Sequence, residues 1–306
     1  MLYDILKNNY DLLFSWIQKE KIEAYRLYDR EEPQFPVSID VYGDYIHVYL
    51  YEKDNLSIND LQSLTDIALK QLFSKINSSN IYYKIRRKQK DGSQYEKFDS
   101  RKKRIIIREN TISYYINLTD YLDTGIFLDH RKTRDIFSGL VRGKKRILNL
   151  FAYTGAFSLT AAKNGVEFTT SVDMSNTYCE WAKDNIYLNE LDPYKHIVIR
   201  DNVFFFLENI KQKNWKFDFI VIDPPTMSRS KKMLSKFDIQ KDYSYLINTS
   251  AEFLSPGGMI LFSTNYRKFK FENEIISLKN VKDISSDTIP PDFKDPLIHK
   301  VYLLKK

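Results

Sequence analysis

Thiols are nearly absent from this sequence. Cys179 is the only cysteine in 306 residues, which excludes an intrachain disulfide framework and any zinc cluster built on several thiolates. Four scattered histidines do not replace those ligands, so no metal site is expected. No apolar run approaches the ~18 residues of a membrane span. The opening segment, MLYDILKNNYDLLFSWIQKEK, places Asp4 ahead of its apolar positions and has no small-residue cleavage site, unlike a signal peptide. Wholesale disorder is excluded too, because 43% hydrophobic and 28% charged residues are ordinary for a globular chain. At ~100–200 residues per domain, the length suits about two domains with sizeable cores. The expectation is a cytoplasmic, soluble protein with no membrane association.

Charge of one sign is also lacking, except in one place. The net charge is +7, and residues 84–104 (KIRRKQKDGSQYEKFDSRKKR) hold ten Lys or Arg against three acidic residues. That stretch carries the entire excess, and the remaining chain balances to zero. Its clusters, Arg86-Arg87-Lys88 and Arg101-Lys102-Lys103-Arg104, flank a turn signal at Asp91-Gly92. A basic hairpin of this kind suits a phosphate backbone, which points to nucleic acid. A solvated hairpin with no partner is the alternative.

The first ~120 residues read as a small α+β domain. Residues 3–22 form an amphipathic helix pattern, followed by the strand pair VSIDVY and YIHVYLYE around Gly43-Asp44. A second helix pattern covers 57–75, then the strand IYYKIRR leads into the basic hairpin, and TISYYINL closes the region. From residue 129 helices and strands alternate. Helices are expected at 129–142, 156–164, 175–189, 202–213, 237–255 and 269–279. Strands are expected at 146–151, 168–173, 196–201, 217–223 and 259–264, with a last one in HKVYLLKK. Such alternation implies an α/β, doubly wound parallel sheet, with ligands at the carboxyl ends of its strands. The expected domains are 1–120, with the basic hairpin, and 121–306, with the sheet.

The strand ends carry the candidate chemistry. The first gives Asn149-Leu150-Phe151-Ala152-Tyr153-Thr154-Gly155, the second Asp173, the third Asp201 and the fourth Asp223-Pro224-Pro225. Gly155 lets the backbone turn tightly and leaves space for a ligand. Asp173 lies close to the ~20-residue offset of an acidic group that bonds ribose hydroxyls. The loop has one glycine, too few for a pyrophosphate cradle, which argues against a nicotinamide dinucleotide. An adenosine ligand without phosphates fits better, and S-adenosylmethionine is one. Any single aspartate is readily a helix N-cap, but three in register on successive strands make coincidence unattractive. The two prolines cannot continue a central strand and stiffen a turn that faces a substrate base. The following SRSKKM (228–233) is basic and suited to RNA contact.

These segments together resemble one family. YRLYDREEP (25–33), NLTDYLDTGIFLDHR (117–131), NLFAYTGAFS (149–158), VDMSNTYCEWAKDN (172–185), IDPPTMSRSKKM (222–233), FDIQKDY (237–243) and FSTNYR (262–267) are similar to the large-subunit ribosomal RNA guanine-N7 methyltransferases. That family is often found as the C-terminal half of a fused bifunctional enzyme. The resemblance runs from about residue 10 to the end, and implies a Rossmann-like class I methyltransferase domain using S-adenosylmethionine. It further implies a cofactor pocket of Phe127, Asp129 and Arg131, with the latter two near the methionine end. Asn149, Phe151, Thr154 and Gly155 would line the first-strand loop, Asp173 and Met174 would hold ribose and adenine, and Asp201 and Asn202 the adenine edge. The fused half and its RNA-binding module are not in this sequence, so a separate partner protein is one expectation. Relatives that methylate planar nitrogens carry an aromatic residue after the two prolines; here position 226 is Thr.

The chemistry narrows the reaction. Cytosine C5 methylation needs a cysteine thiolate added to C6, and relatives of that class place it where this chain has Ser263-Thr264-Asn265. Cys179 lies instead inside a helix pattern beside Trp181, as a small buried hydrophobe would. Guanine N7 carries an in-plane lone pair and no proton, so transfer is a direct displacement governed by alignment. Asp223, with Pro224 and Pro225, is the expected catalytic turn, its carboxylate stabilising the charge that develops on the base. Arg229, Lys231, Lys232 and Arg267 are donor candidates for the N7/O6 edge. The alternatives are methylation of an exocyclic base nitrogen, and a non-catalytic RNA-binding assembly factor that keeps the fold.

Overall fold

The computed structural model describes residues 1–53, 56–86, 103–228 and 237–306. The chain divides into two compact units, Met1–Leu128 with Pro291–Lys294, and Asp129–Pro290 with Asp295–Lys306. The four-residue excursion of 291–294 into the first unit leaves no mark in the sequence pattern.

In the first unit, helix α1 (Leu2–Glu20) buries Leu2, Leu6, Leu13 and Ile17, one stripe at three- and four-residue spacing. Strands β1 (Ala24–Asp29), β2 (Val37–Tyr42) and β3 (Tyr45–Tyr51) pair antiparallel. Gly43, with φ +57°, turns the chain between β2 and β3. Helix α2 (Ile58–Leu72), capped by the Ser57 hydroxyl on the Asp60 amide, crosses back so that β4 (Ile81–Arg86) joins β3 in parallel. A separate antiparallel pair follows, β5 (Arg104–Glu109) and β6 (Ile112–Asn117). The return segment is tied down here: Asp292 Oδ2 accepts from the Arg26 amide at 2.9 Å, and the Arg26 guanidinium lies 4.9 Å from the Phe293 ring centre.

The second unit opens at Asp129, inside a short 3-10 turn (Leu128–His130) that leads into α3 (Arg131–Leu140). Strands β7 (Arg146–Leu150), β8 (Phe168–Asp173) and β9 (His196–Arg200) alternate with α4 (Ala156–Lys163) and α5 (Asn176–Leu188). Then come α6 (Val203–Ile210), β10 (Phe217–Ile222), the two-residue strands β11 (Met227–Ser228) and β12 (Phe237–Asp238), and α7 (Ile239–Ala251). Strand β13 (Leu254–Thr264), edge strand β14 (Asn280–Asp283), the short α8 (Ser285–Thr288) and β15 (Lys300–Lys305) complete it. The sheet order is β14-β15-β13-β10-β7-β8-β9.

Strands β9, β8, β7, β10 and β13 run parallel, whereas β15 is antiparallel to both its neighbours, β13 and β14, so the expected parallel sheet is a mixed one. Alternate residues feed two cores. Ile147, Phe219, Val221 and Leu261 meet Phe137 of α3 and Phe157 of α4. Leu148, Ile220, Ile222 and Phe262 meet α6 and α7 through Phe206, Leu207, Tyr243 and Leu246. Near-continuous apolar strands are what burial on both faces demands.

One expected element does not form. The 269–279 segment is not a helix; it is irregular, with a 3-10 turn only at Asn273–Ile275, and β14 follows as a strand the sequence did not announce. Phe269, Ile276 and Leu278 still enter the core, but Ile276 and Leu278 are two apart, a spacing that suits extended chain. Side chains of α7 take over the hydrogen bonds a helix would have made. Gln240 donates to the Lys270 carbonyl and accepts from the Lys270 amide, at 2.9 and 2.8 Å. Asn248 does the same for the Ile275 carbonyl and the Ser277 amide, and the Tyr243 hydroxyl accepts from the Glu272 amide. The helix expected at 237–255 is also shorter, because 237–238 form β12 and β13 begins at Leu254.

Replacing this local support has a local consequence. Asn248→Ala is expected to cost about 0.5–1.5 kcal/mol and to speed hydrogen exchange of the Ser277 amide, while β10 amides keep their protection. Exchange at Ser277 unchanged from wild type contradicts this account of the segment.

Candidate active site

The strand order reverses at β7 and β10, the point where an open α/β sheet forms a crevice at the carboxyl ends of its strands. The loop leaving β7 is bent sharply there. Phe151 and Tyr153 hold φ of +58° and +52°, a left-handed backbone that bulky residues seldom adopt, and Gly155 follows at +84°. A Cβ on Gly155 would lie 3.4 Å from the Ala182 Cβ, so the loop and α5 close tightly at this position.

Asp173, at the end of β8, holds that loop. One carboxylate oxygen accepts from the Tyr153 amide at 2.9 Å and the other from the Ser175 amide at 2.8 Å. Burial raises its pKa above the usual carboxylate range, while the Ser175, Tyr153 and Met174 amides pull it down. A carboxylate has about four acceptor positions, so three amides leave capacity for a ribose hydroxyl. Asp201 follows β9, its own amide bonded to the Asp173 carbonyl at 3.1 Å and its carboxylate accepting from the Asn202 amide at 2.8 Å. Asn202 caps α6, its side-chain oxygen accepting from the Phe204 amide.

The other first-loop residues divide. Asn149 is buried and faces inward, donating to Ser158 Oγ at 3.0 Å, and Ser158 in turn meets Ser171 Oγ at 2.6 Å. Thr154 is buried as well, its carbonyl accepting from the Asn185 amide group at 3.0 Å. Arg131 is buried at the first position of α3. Phe127 is an exposed residue of the first unit, whereas Asp129 opens the second.

At the end of β10, Asp223 sits half-buried before Pro224 and Pro225. Its Oδ1 accepts from Ser263 Oγ at 2.6 Å, and Oδ2 lies 3.8 Å from His130 Nε2. Ser263, near the end of β13, thus holds one oxygen of the Asp223 carboxylate. Thr226, in the place of an aromatic residue, donates to the Asn265 side-chain oxygen at 2.5 Å. Cys179 is buried, donates to the Asp173 carbonyl at 3.3 Å, and has its pKa pushed up to about 11 by burial. It is a neutral thiol, not a nucleophile.

His130, His299, Ser263 and Asn265 also lie among these groups, and sequence reasoning assigned them no role. His130 and Ser263 lie inside motif segments, but nothing in their spacing announces a partner. His299 is 170 residues from Asp129 in the chain, yet its Nδ1 lies 3.2 Å from Asp129 Oδ2. Asp129, His130 and His299 bring potential metal-ligand atoms within 4.8 Å of one another. The two imidazoles, however, are stacked, with centroids 4.5 Å apart and planes at 13°. Ring-nitrogen lone pairs lie in the ring plane, so those of parallel rings do not converge on one ion at the required ~2.0–2.1 Å.

The basic residues are scattered in their surroundings. Arg87, Lys88, Arg101, Lys102, Arg229, Lys231 and Lys232 lie outside the described residues, as does the Asp91-Gly92 turn. The strands flanking that stretch, β4 and β5, belong to different sheets. Arg86 is engaged within its own unit, 3.4 Å from Asp123 and 4.3 Å from the Tyr49 ring centre. Lys103 lies over Tyr45 and Arg104 over Tyr115. Arg267 is ion-paired with Asp295.

Among the described residues no helix is long and apolar enough to cross a membrane. A family model for S-adenosylmethionine-dependent methyltransferases matches residues 60–295. A Neisseria meningitidis protein named ribosomal RNA large subunit methyltransferase K is 39% identical over 306 residues, covering 98% of this chain and 85% of the relative. A Marinomonas protein named ribosomal RNA large subunit methyltransferase K/L is 40% identical over 314 residues, and the chain spans only 42% of its length. Among solved structures, a methyltransferase complexed with S-adenosylhomocysteine superposes with a TM-score of 0.80 at 27% identity, over 99% of this chain and 80% of that one. An Agrobacterium tumefaciens S-adenosylmethionine-dependent methyltransferase shares the fold at a TM-score of 0.62 and 17% identity, over 88% of this chain and 86% of that one. With the switch-point crevice, the strained first loop and these matches in place, the chain belongs to the S-adenosylmethionine-dependent methyltransferase family.

Proposed function

We propose that this enzyme methylates N7 of a guanine in large-subunit ribosomal RNA by direct displacement, with no covalent intermediate. The observation that carries the reading is the Asp223-Pro224-Pro225 turn, its carboxylate fixed by Ser263 at a strand end that holds no thiol. Relatives named ribosomal RNA large subunit methyltransferases K and K/L support the substrate class. Bound S-adenosylmethionine supplies a methyl group on a positively charged sulfur.

In this reading the residues at the switch point hold the cofactor. Asp173 accepts from a ribose hydroxyl with the capacity its amide bonds leave. Asp201 and Asn202 flank the adenine, Met174 covers its face, and the bent loop of Phe151, Thr154 and Gly155 brings backbone close to the nucleoside. Asp129 and Arg131, at the start of α3, face the amino-acid end. The N-terminus of a helix favours a carboxylate, which suits that assignment.

The base enters the slot beside the proline turn after leaving its stack. N7 has no proton to lose, so Asp223 need not act as a base. Its charge instead opposes the positive charge that grows on the guanine as transfer proceeds, in a partly buried site where such effects are strong. Thr226, tied to Asn265, stands where relatives that methylate planar nitrogens carry an aromatic residue. Lys103, Arg104 and the neighbouring basic segment supply phosphate contacts.

Two variants separate the roles. Asp173→Ala is expected to raise the calorimetric Kd for S-adenosylmethionine at least about tenfold, the loss of hydrogen bonds to a charged acceptor; an unchanged Kd removes Asp173 from the pocket. Asp223→Asn is expected to lower the single-turnover methyl-transfer rate about a hundredfold while that Kd stays within about twofold. A wild-type rate in this variant ends the assigned role of Asp223.

A further inference from the structure

The histidine pair has no place in the reading above. His130 and His299 are both buried, and their rings stack at 4.5 Å. His299 is fixed at both nitrogens, Nδ1 by Asp129 Oδ2 at 3.2 Å and Nε2 by Thr288 Oγ1 at 3.0 Å. His130 rests on that anchored ring, with its far side against the Phe157 edge at 6.0 Å between centroids. Its Nδ1 meets Thr133 Oγ1 at 3.2 Å. Its Nε2 faces two carboxylates, Asp223 at 3.8 Å and Asp129 at 3.9 Å.

Burial depresses the His130 pKa, an effect the neighbouring His299 and Arg134 reinforce and the two aspartates oppose. The neutral ring carries one hydrogen. Two carboxylate oxygens beside Nε2 place it there, because a lone pair would face their negative charge, and Nδ1 then accepts from the Thr133 hydroxyl. His130 thus places an N–H between Asp129 Oδ2 and the oxygen of Asp223 that Ser263 does not hold. At 3.8 Å the contact is not yet a hydrogen bond, and closing it takes a shift of about 1 Å, the kind of tightening that substrate binding brings.

We propose that His130 is a positioning residue: braced by the His299 ring, it and Ser263 hold the two oxygens of Asp223, so that the carboxylate faces the base slot in one orientation. This rests on the role given to Asp223 above. The stack limits rotation of the ring, so its N–H is held near the carboxylate more firmly than that of a flexible side chain.

The test compares His130→Gln and His130→Met, flexible side chains of similar length with and without an N–H, in the full-length protein. The Gln variant is expected to retain a kcat at least about tenfold above the Met variant, with equal Kd for S-adenosylmethionine by calorimetry. In an Asp223→Asn background the two are expected to be equal, because the effect passes through the carboxylate. Equal kcat for Gln and Met in the native background overturns the proposal, and so does a difference that persists with Asp223→Asn. Failure of the underlying reading shows separately, as a wild-type rate for Asp223→Asn alone. A ligand-free readout accompanies the kinetics: with four histidines in the chain, the imidazole nitrogen spectrum is simple enough to follow His130. Asp223→Asn is expected to shift the His130 Nε2 resonance and leave that of His47 in place, and an unmoved His130 signal counts against the contact.

Discussion

The reversal of strand order between β7 and β10 is the constraint on which the site depends. Helical crossovers carry the chain outward from β7 to β8 and β9, then back across to β10 and β13. The loops after β7 and β10 leave the sheet toward opposite faces, and the gap between them is the crevice. Everything placed there has to come from strand ends: Asp173 beside the β7 loop, Asp223 on β10, Ser263 on β13. The two apolar cores that bury the sheet hold those ends in register, since alternate residues of each strand are locked against helices on opposite sides.

Strain and polar satisfaction coincide at this crevice. Phe151 and Tyr153 adopt a costly backbone, and the Tyr153 amide is fixed by Asp173, so the same carboxylate that suits a ribose also stabilises the loop around it. At the other wall, Asp223 is held by the Ser263 hydroxyl at the end of β13.

Much of this was legible in the sequence because sheet burial writes itself into apolar runs. The strands ending at Asp173, Asp201 and Asp223, and the helices between them, follow from periodicity, as does the turn at two prolines. What periodicity does not encode is which backbone groups a side chain elsewhere will satisfy. The 269–279 segment has apolar residues near helical spacing, yet Gln240, Tyr243 and Asn248 bind its backbone in an irregular path. Asn149 ends a strand in the sequence pattern, but its side chain belongs to a buried chain of hydroxyls with Ser158 and Ser171. The His130–His299 stack joins residues from the two ends of the unit, and no local signal connects them. Basic clusters are visible as charge, whereas the pairing of Arg86 with Asp123 and of Arg267 with Asp295 appears only in three dimensions.

The central claim is that a carboxylate acting by charge alone, in a slot without a thiol, directs the methyl group to a ring nitrogen that has no proton. Nucleoside mass spectrometry of large-subunit ribosomal RNA incubated with the enzyme and labelled S-adenosylmethionine tests this most directly. The account predicts label in 7-methylguanosine. Label in 5-methylcytidine, or on an exocyclic amine of guanine or adenine, contradicts it.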